Sequence, residues 1–168
     1  MEYEIVKATE ADREEILSLY RMQIGREFCP WDEYYPSNET IDYDLDRDSL
    51  FVLRSDGKIK AAISLEYDEA VEELTCWDKN LEPEGELARL AVLPDEQNKG
   101  YARIMLKFGM EELVRRGYNG IHFLVNKYNI KAIRSYEVFG FNKVGECHMY
   151  DQDYICYEKE LNNKRKNL

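Results

Sequence analysis

The chain has 168 residues, enough for a single domain with a substantial core, and carries 34 acidic against 23 basic side chains for a net charge of −11. That balance excludes the broad basic surface that nucleic-acid binding requires, and no apolar run approaches the roughly 20 residues of a membrane span. The acidic start Met1-Glu2-Tyr3-Glu4 lacks the basic and apolar regions of a signal peptide, so a cytoplasmic protein is expected, as monomer or homodimer.

Charge is distributed unevenly. Residues 1–90 carry 24 acidic and 10 basic side chains, whereas residues 91–168 carry 10 acidic and 13 basic ones. The first part would attract a cationic partner; the second tolerates an anion. Cys29, Cys76, Cys147 and Cys156 show no Cys-x-x-Cys pairing, and with His122 and His148 as the two histidines no metal is expected.

In chain order, residues 3–8 alternate as a strand, and Thr9 with Asp12 caps a helix that carries Ile16, Leu17, Leu19 and Tyr20 on one face. From Phe28 to Tyr43 the chain is aromatic and acidic, and a short helix begins near Ser37. Leu50–Arg54 and Lys58–Glu66 read as strands joined by the hairpin signal Ser55-Asp56-Gly57. Tyr67–Gly85 is long, acidic and weakly periodic, either a functional lid or an exposed elaboration. Glu86–Leu93 forms a strand and Gly100–Arg116 a helix stopped by Gly117. Ile121–Val125 is a near-continuous apolar strand, and a second helix covers about Asn129–Phe139 before Gly140. Strands near Phe141–Cys147 and Asp153–Leu161 and a short basic tail complete the chain. Alternating strands and helices followed by a hairpin favour a mixed α/β (α+β) sheet.

Chemistry concentrates in Leu90-Ala91-Val92-Leu93-Pro94-Asp95-Glu96-Gln97-Asn98-Lys99-Gly100-Tyr101-Ala102-Arg103, where an apolar strand turns through Gln-x-x-Gly-x-Ala into a helix. A helix start offers unpaired N–H groups and partial positive charge, so a phosphate suits it. An ordinary helix N-terminus is the alternative. Lys99-Gly100 stands in the wrong order for a nucleotide-triphosphate loop, and no Gly-x-Gly-x-x-Gly follows. Further on stands Asn129-x-x-Ala132-Ile133-x-x-Tyr136-Glu137-x-x-Gly140-Phe141, whose Asn129 and Tyr136 lie two helical turns apart on one face.

The two motifs, in this order and separation, resemble the acetyl-coenzyme A signature of the GNAT superfamily of N-acetyltransferases, most specifically over about Glu86–Phe141. The resemblance implies a central mixed, mostly antiparallel sheet of about seven strands flanked by about four helices, splayed at the acetyl-coenzyme A site. It implies that Leu90, Ala91 and Val92 pair with the pantetheine amides. Gln97, Asn98, Lys99, Gly100, Tyr101, Ala102 and Arg103 would wrap the pyrophosphate, and Asn129 would bond the arm or merely cap its helix. Tyr136 matches the family tyrosine that protonates the coenzyme A sulfur. One family position for the general base is Leu124 in this chain, which takes no proton; another is Glu86, at the start of the cradle strand, which a bulge is expected to interrupt after Arg89.

The acceptor implied is a cationic primary amine, and Trp31, Tyr34 and Tyr35 with Asp32 and Glu33 form a candidate wall for it, unless these aromatics simply pack the helices. Direct transfer in a ternary complex follows, since neither motif contains a cysteine. The rival readings are a non-catalytic acyl-coenzyme A-binding module and an unrelated phosphate binder.

Overall fold

The computed structural model describes residues 2–161; the expected basic tail lies outside the described residues. In chain order the elements are β1 (Glu4–Lys7), α1 (Arg13–Arg21), α2 (Asn38–Asp46), β2 (Leu50–Ser55), β3 (Lys58–Glu66), α3 (Glu69–Glu72), β4 (Glu84–Val92), α4 (Tyr101–Arg115), β5 (Gly120–Asn126), α5 (Ile130–Val138), β6 (Asn142–Met149) and β7 (Gln152–Glu160). The sheet has seven strands in the order β1-β2-β3-β4-β5-β7-β6. It is mixed: β4 and β5 run parallel, while β1–β2, β2–β3, β5–β7 and β6–β7 are antiparallel. Two compact units contribute to it, Met1–Glu66 with Leu87–Gly109, and Tyr67–Glu86 with Met110–Leu168.

The first unit follows from local signals. Asp12 accepts the Thr9 N–H at 2.9 Å ahead of α1, and Ser37 accepts the Thr40 N–H at 3.5 Å at the start of α2. Asp56 (φ 55°) and Gly57 (φ 72°) supply the two left-handed residues that a tight β2–β3 hairpin needs. The apolar face of α1 then packs Ile16, Leu19 and Tyr20 with Ile41 of α2, Leu50 and Val52 of β2, Ile59 and Ala62 of β3, and Ala91 of β4. The spacing of α1 dictates this, because residues three and four apart share a helix face.

In the second unit, β5 pairs in parallel with the start of β4 through Glu84–Glu86 and antiparallel with β7 over its whole length. Phe123 is the centre of its aromatic core, 4.6 Å from Tyr136, 4.8 Å from Phe141 and 6.4 Å from Tyr157 between ring centroids. Gly85 faces Leu113 of α4, where an added Cβ would lie 2.4 Å from Leu113 Cδ2. By strand alternation Glu84 and Glu86 therefore point to the opposite face of the sheet.

One expectation needs correction. The cradle strand starts at Glu84 rather than Glu86, because residues 84–86 find hydrogen-bonding partners on β5, which no local pattern announces. The five α-helices among the described residues agree with the expected helix-flanked sheet; one of them is the single turn α3 inside Tyr67–Gly85, capped by Asp68 accepting the Ala70 N–H at 3.0 Å.

Candidate active site

In the first unit the strand–turn–helix motif is formed as its residues demand. Asn98 (φ 63°) and Gly100 (φ 90°) are both left-handed, and the Gly100 carbonyl accepts the Ile104 N–H at 3.1 Å to open α4. A Cβ on Gly100 would meet nothing within 4 Å, so its φ fixes the residue type, and the space before the helix is open. Such an opening at the N-terminus of a 15-residue helix fits a pyrophosphate, because the first N–H groups of a helix lack an intrahelical acceptor. Gln97 does not reach outward: its amide donates to the Val92 carbonyl at 3.0 Å. The same carbonyl accepts from Gln23 at 2.9 Å, so two side-chain amides fix the end of β4. Lys99 pairs with Glu96 at 3.0 Å, and Glu96 also holds Lys60 at 2.9 Å. Tyr101 is buried, whereas Ala102 and Arg103 are exposed on α4; Leu90 is half-buried, and Ala91 and Val92 are buried.

Arg89 stands within β4 in the left-handed region, at φ 50°. Its buried guanidinium bonds both oxygens of Asp44 (2.8 and 3.0 Å from Nη2), Glu66 at 2.5 Å and the Tyr35 hydroxyl at 3.1 Å. Asp44, fully buried, also accepts from Ser64 Oγ at 2.7 Å and Arg47 at 2.8 Å. An L-residue in this conformation is strained, and this network holds it there immediately before Leu90. In the sequence Asp44 reads as one more acid of α2; its burial emerges only when α2 meets β3 and β4.

The aromatic trio divides. Trp31 packs edge-on against Tyr20 at 5.4 Å and joins the core. Tyr35 is tied to Arg89, while Tyr34 is 77% exposed, its N–H bonded to Asp32 at 2.8 Å.

In the second unit Asn129 caps α5, accepting the Ala132 N–H at 3.2 Å. Tyr136 is half-buried among Phe123, Phe141 and Tyr157, and burial pushes its phenol above the ordinary value, which keeps the proton on it. Leu124 is half-buried on β5.

Glu86 stands in register with His122 on β5, and His122 with Glu158 on β7, an acid–imidazole–acid row across three strands. All three are buried, as is Glu84. Gly120 makes room for Glu84: a Cβ there would sit 2.9 Å from Glu84 Oε1. Segment 67–81 lies against this row. Trp77 stacks on the imidazole at 4.2 Å and 15°, Glu72 contacts His122 Nε2 at 2.8 Å, and the Asp78 N–H donates to Glu158 at 2.9 Å. Burial works against the imidazolium, but Glu84 and Glu72 outweigh it and raise the His122 pKa. Burial, reinforced by Glu84 and opposed by the Asp78 N–H, pushes Glu158 up to about 7. Of this row only Glu86 stood out in the sequence. The available signal was a titratable residue inside an otherwise buried strand: His122 within Ile121–Val125, and Glu158 after Ile155-Cys156-Tyr157.

The mixed seven-stranded sheet and the strand–cradle–helix unit define an acyltransferase fold. The acetyltransferase (GNAT) family pattern matches residues 15–141, and the chain belongs to that family, which makes it an acetyl-coenzyme A-dependent acyltransferase. No curated protein matches the chain. Among solved structures it is similar to the ribosomal-protein-S18-alanine N-acetyltransferase of Escherichia coli (23% identity, TM-score 0.70, covering 95% of this chain and 94% of that one). It is also similar to the ribosomal-protein-alanine N-acetyltransferase of Brucella melitensis (20%, 0.75, 94% and 99%). A third is the Salmonella typhimurium protein yncA, solved with its cofactor acetyl-CoA (17%, 0.75, 96% and 95%). No helix among the described residues is long and apolar enough to cross a membrane.

Proposed function

We propose that the protein transfers the acetyl group of acetyl-coenzyme A to the primary amine of a cationic small molecule or peptide, directly and in a ternary complex. The observation that carries this reading is Glu86: a buried carboxylate on the strand that leads into the cradle, four residues ahead of the first proposed cofactor contact. Backbone groups of Leu90, Ala91 and Val92 hold the pantetheine arm, and the N–H groups from Gln97 to Arg103 hold the pyrophosphate. Asn129 adds a contact from its side chain while capping α5.

Bound there, the thioester supplies an activated acetyl carbonyl. Glu86 takes a proton from the attacking nitrogen, through water where the two do not touch, and so makes its lone pair available. A backbone N–H near Val92 stabilises the oxyanion. As the C–S bond breaks, Tyr136 gives its phenolic proton to the sulfur and is restored by the second proton that the nitrogen loses; the raised pKa supports that role, since the proton is present at neutral pH. Glu72 and Glu84 add negative charge around Glu86, which supports an ammonium acceptor. Tyr34 leaves its ring exposed, a surface that suits a cation.

The test is release of free coenzyme A across a panel of primary amines, with thermal stabilisation by coenzyme A as the binding readout. Tyr136→Phe and Glu86→Gln are each expected to keep that stabilisation and lose about 100-fold in kcat. Full turnover in either variant removes that residue from the chemistry.

A further inference from the structure

Acetylation of an ammonium leaves one proton over: of the two that the nitrogen gives up, one ends on the thiol and the other must reach water. Glu86, buried to 7% exposure, does not face bulk solvent to release it. We propose that His122 and Glu72 are the proton exit of Glu86, the ring accepting the proton from the Glu86 carboxyl as its Nε2 gives one to Glu72, which releases it to solvent. This rests on the assignment of Glu86 as base.

Geometry supports the path. Carboxylate oxygens of Glu72 and Glu86 and a ring nitrogen of His122 all lie within 4.8 Å of one another, a span that one water closes where no direct bond exists. The link from His122 Nε2 to Glu72 is a hydrogen bond of 2.8 Å. Side-chain exposure rises from 1% at His122 to 28% at Glu72, so the path leads outward. The groups facing the imidazole are Glu84 and Glu86 from β4, Glu158 from β7, and Glu72 with the Trp77 ring from segment 67–81, with Asp78 behind Glu158. All these charges are acidic and favour a proton arriving on the ring, while the stack with Trp77 fixes the plane of the ring. The long insertion thereby gains a role: it covers the histidine and brings a solvent-facing carboxylate to its ring.

The test compares kcat of wild type, Glu72→Gln and His122→Gln at fixed pH and ionic strength while imidazole buffer is raised from low to high concentration. The relay predicts wild-type turnover independent of buffer, and variant turnover about tenfold or more lower at low buffer and recovering several-fold as buffer carries the proton instead. Variants with wild-type kcat, or a lowered kcat that buffer does not restore, overturn it; the second result marks a structural role. Should His122→Gln fail to fold, the near-isosteric Glu72→Gln carries the test alone. Glu86→Gln separates the two readings. If it is inactive while Glu72→Gln and His122→Gln behave as wild type, only the relay fails; if it is fully active, the base assignment fails too.

Discussion

Replacing Arg89 with methionine removes a guanidinium but keeps a long side chain at the same left-handed position, so the backbone strain cancels and the charge effect is isolated. Asp44, fully buried, then loses three contacts, and Glu66, at 13% side-chain exposure, loses one. Breaking a buried pair costs about 3–5 kcal/mol, because the orphaned charge keeps its desolvation penalty. Arg47 remains 2.8 Å from Asp44 and 3.7 Å from Glu66 and offsets part of this, so the low end, about 3 kcal/mol, is expected. For a chain of this size that lowers Tm by about 6–12 °C. The pH dependence has a definite sign. In the variant an uncompensated buried carboxylate has its pKa raised on folding, so it contributes stability below the unfolded carboxylate range, and that contribution is lost as pH rises through the folded value. Urea denaturation of both proteins at pH 5 and pH 8 should therefore show the larger deficit at pH 8. Asp44→Asn in the Arg89→Met background should recover part of the loss. A deficit below about 1 kcal/mol, or one that does not change with pH, would refute the reasoning that this pair is held by charge in a dry site.

Glu158, pushed up to about 7 by burial and Glu84, contributes stability that is fully present below its ordinary 4.5 and lost as pH rises through about 7. The raised His122 pKa acts in the same direction, so the urea midpoint should be higher at pH 5.5 than at pH 8, and Glu158→Gln should reduce the difference; a midpoint that rises with pH contradicts both. Gly109→Ala would gain about 1 kcal/mol of helix propensity within α4, yet its Cβ would lie 2.8 Å from both Leu87 Cδ atoms, and Leu87 is buried. Overpacking of about 1–3 kcal/mol wins, Tm falls and Leu87→Val restores it; a rise in Tm for the single variant would show that Leu87 has room to move.

Local chemistry made most of the fold legible. Thr9, Ser37, Asp56-Gly57, Gly117 and Gly140 act within a few residues of their own position, and they fixed element ends to within a residue or two. The cradle was legible for the same reason, since Asn98, Gly100 and the start of α4 are consecutive. What stayed hidden depends on partners far along the chain. Asp44 is an unremarkable helix acid until Arg89, 45 positions away, bonds it, and His122 reads as an interruption in an apolar strand until Glu72, 50 positions before it, reaches its ring. Periodicity reports which face of an element is buried; it does not report that the buried face carries charge, because a satisfied charge and an exposed one have the same letter. The insertion shows the limit most clearly. Its weak periodicity suggested a loop because its anchors are not its own: Trp77 stacks on β5, the Asp78 N–H donates to β7, and Tyr150, in the β6–β7 turn, bonds Asp68 at 2.5 Å. A segment whose order comes from sheet side chains leaves no repeat in its own sequence, so the feature to look for is the buried titratable residue on the strands beneath it.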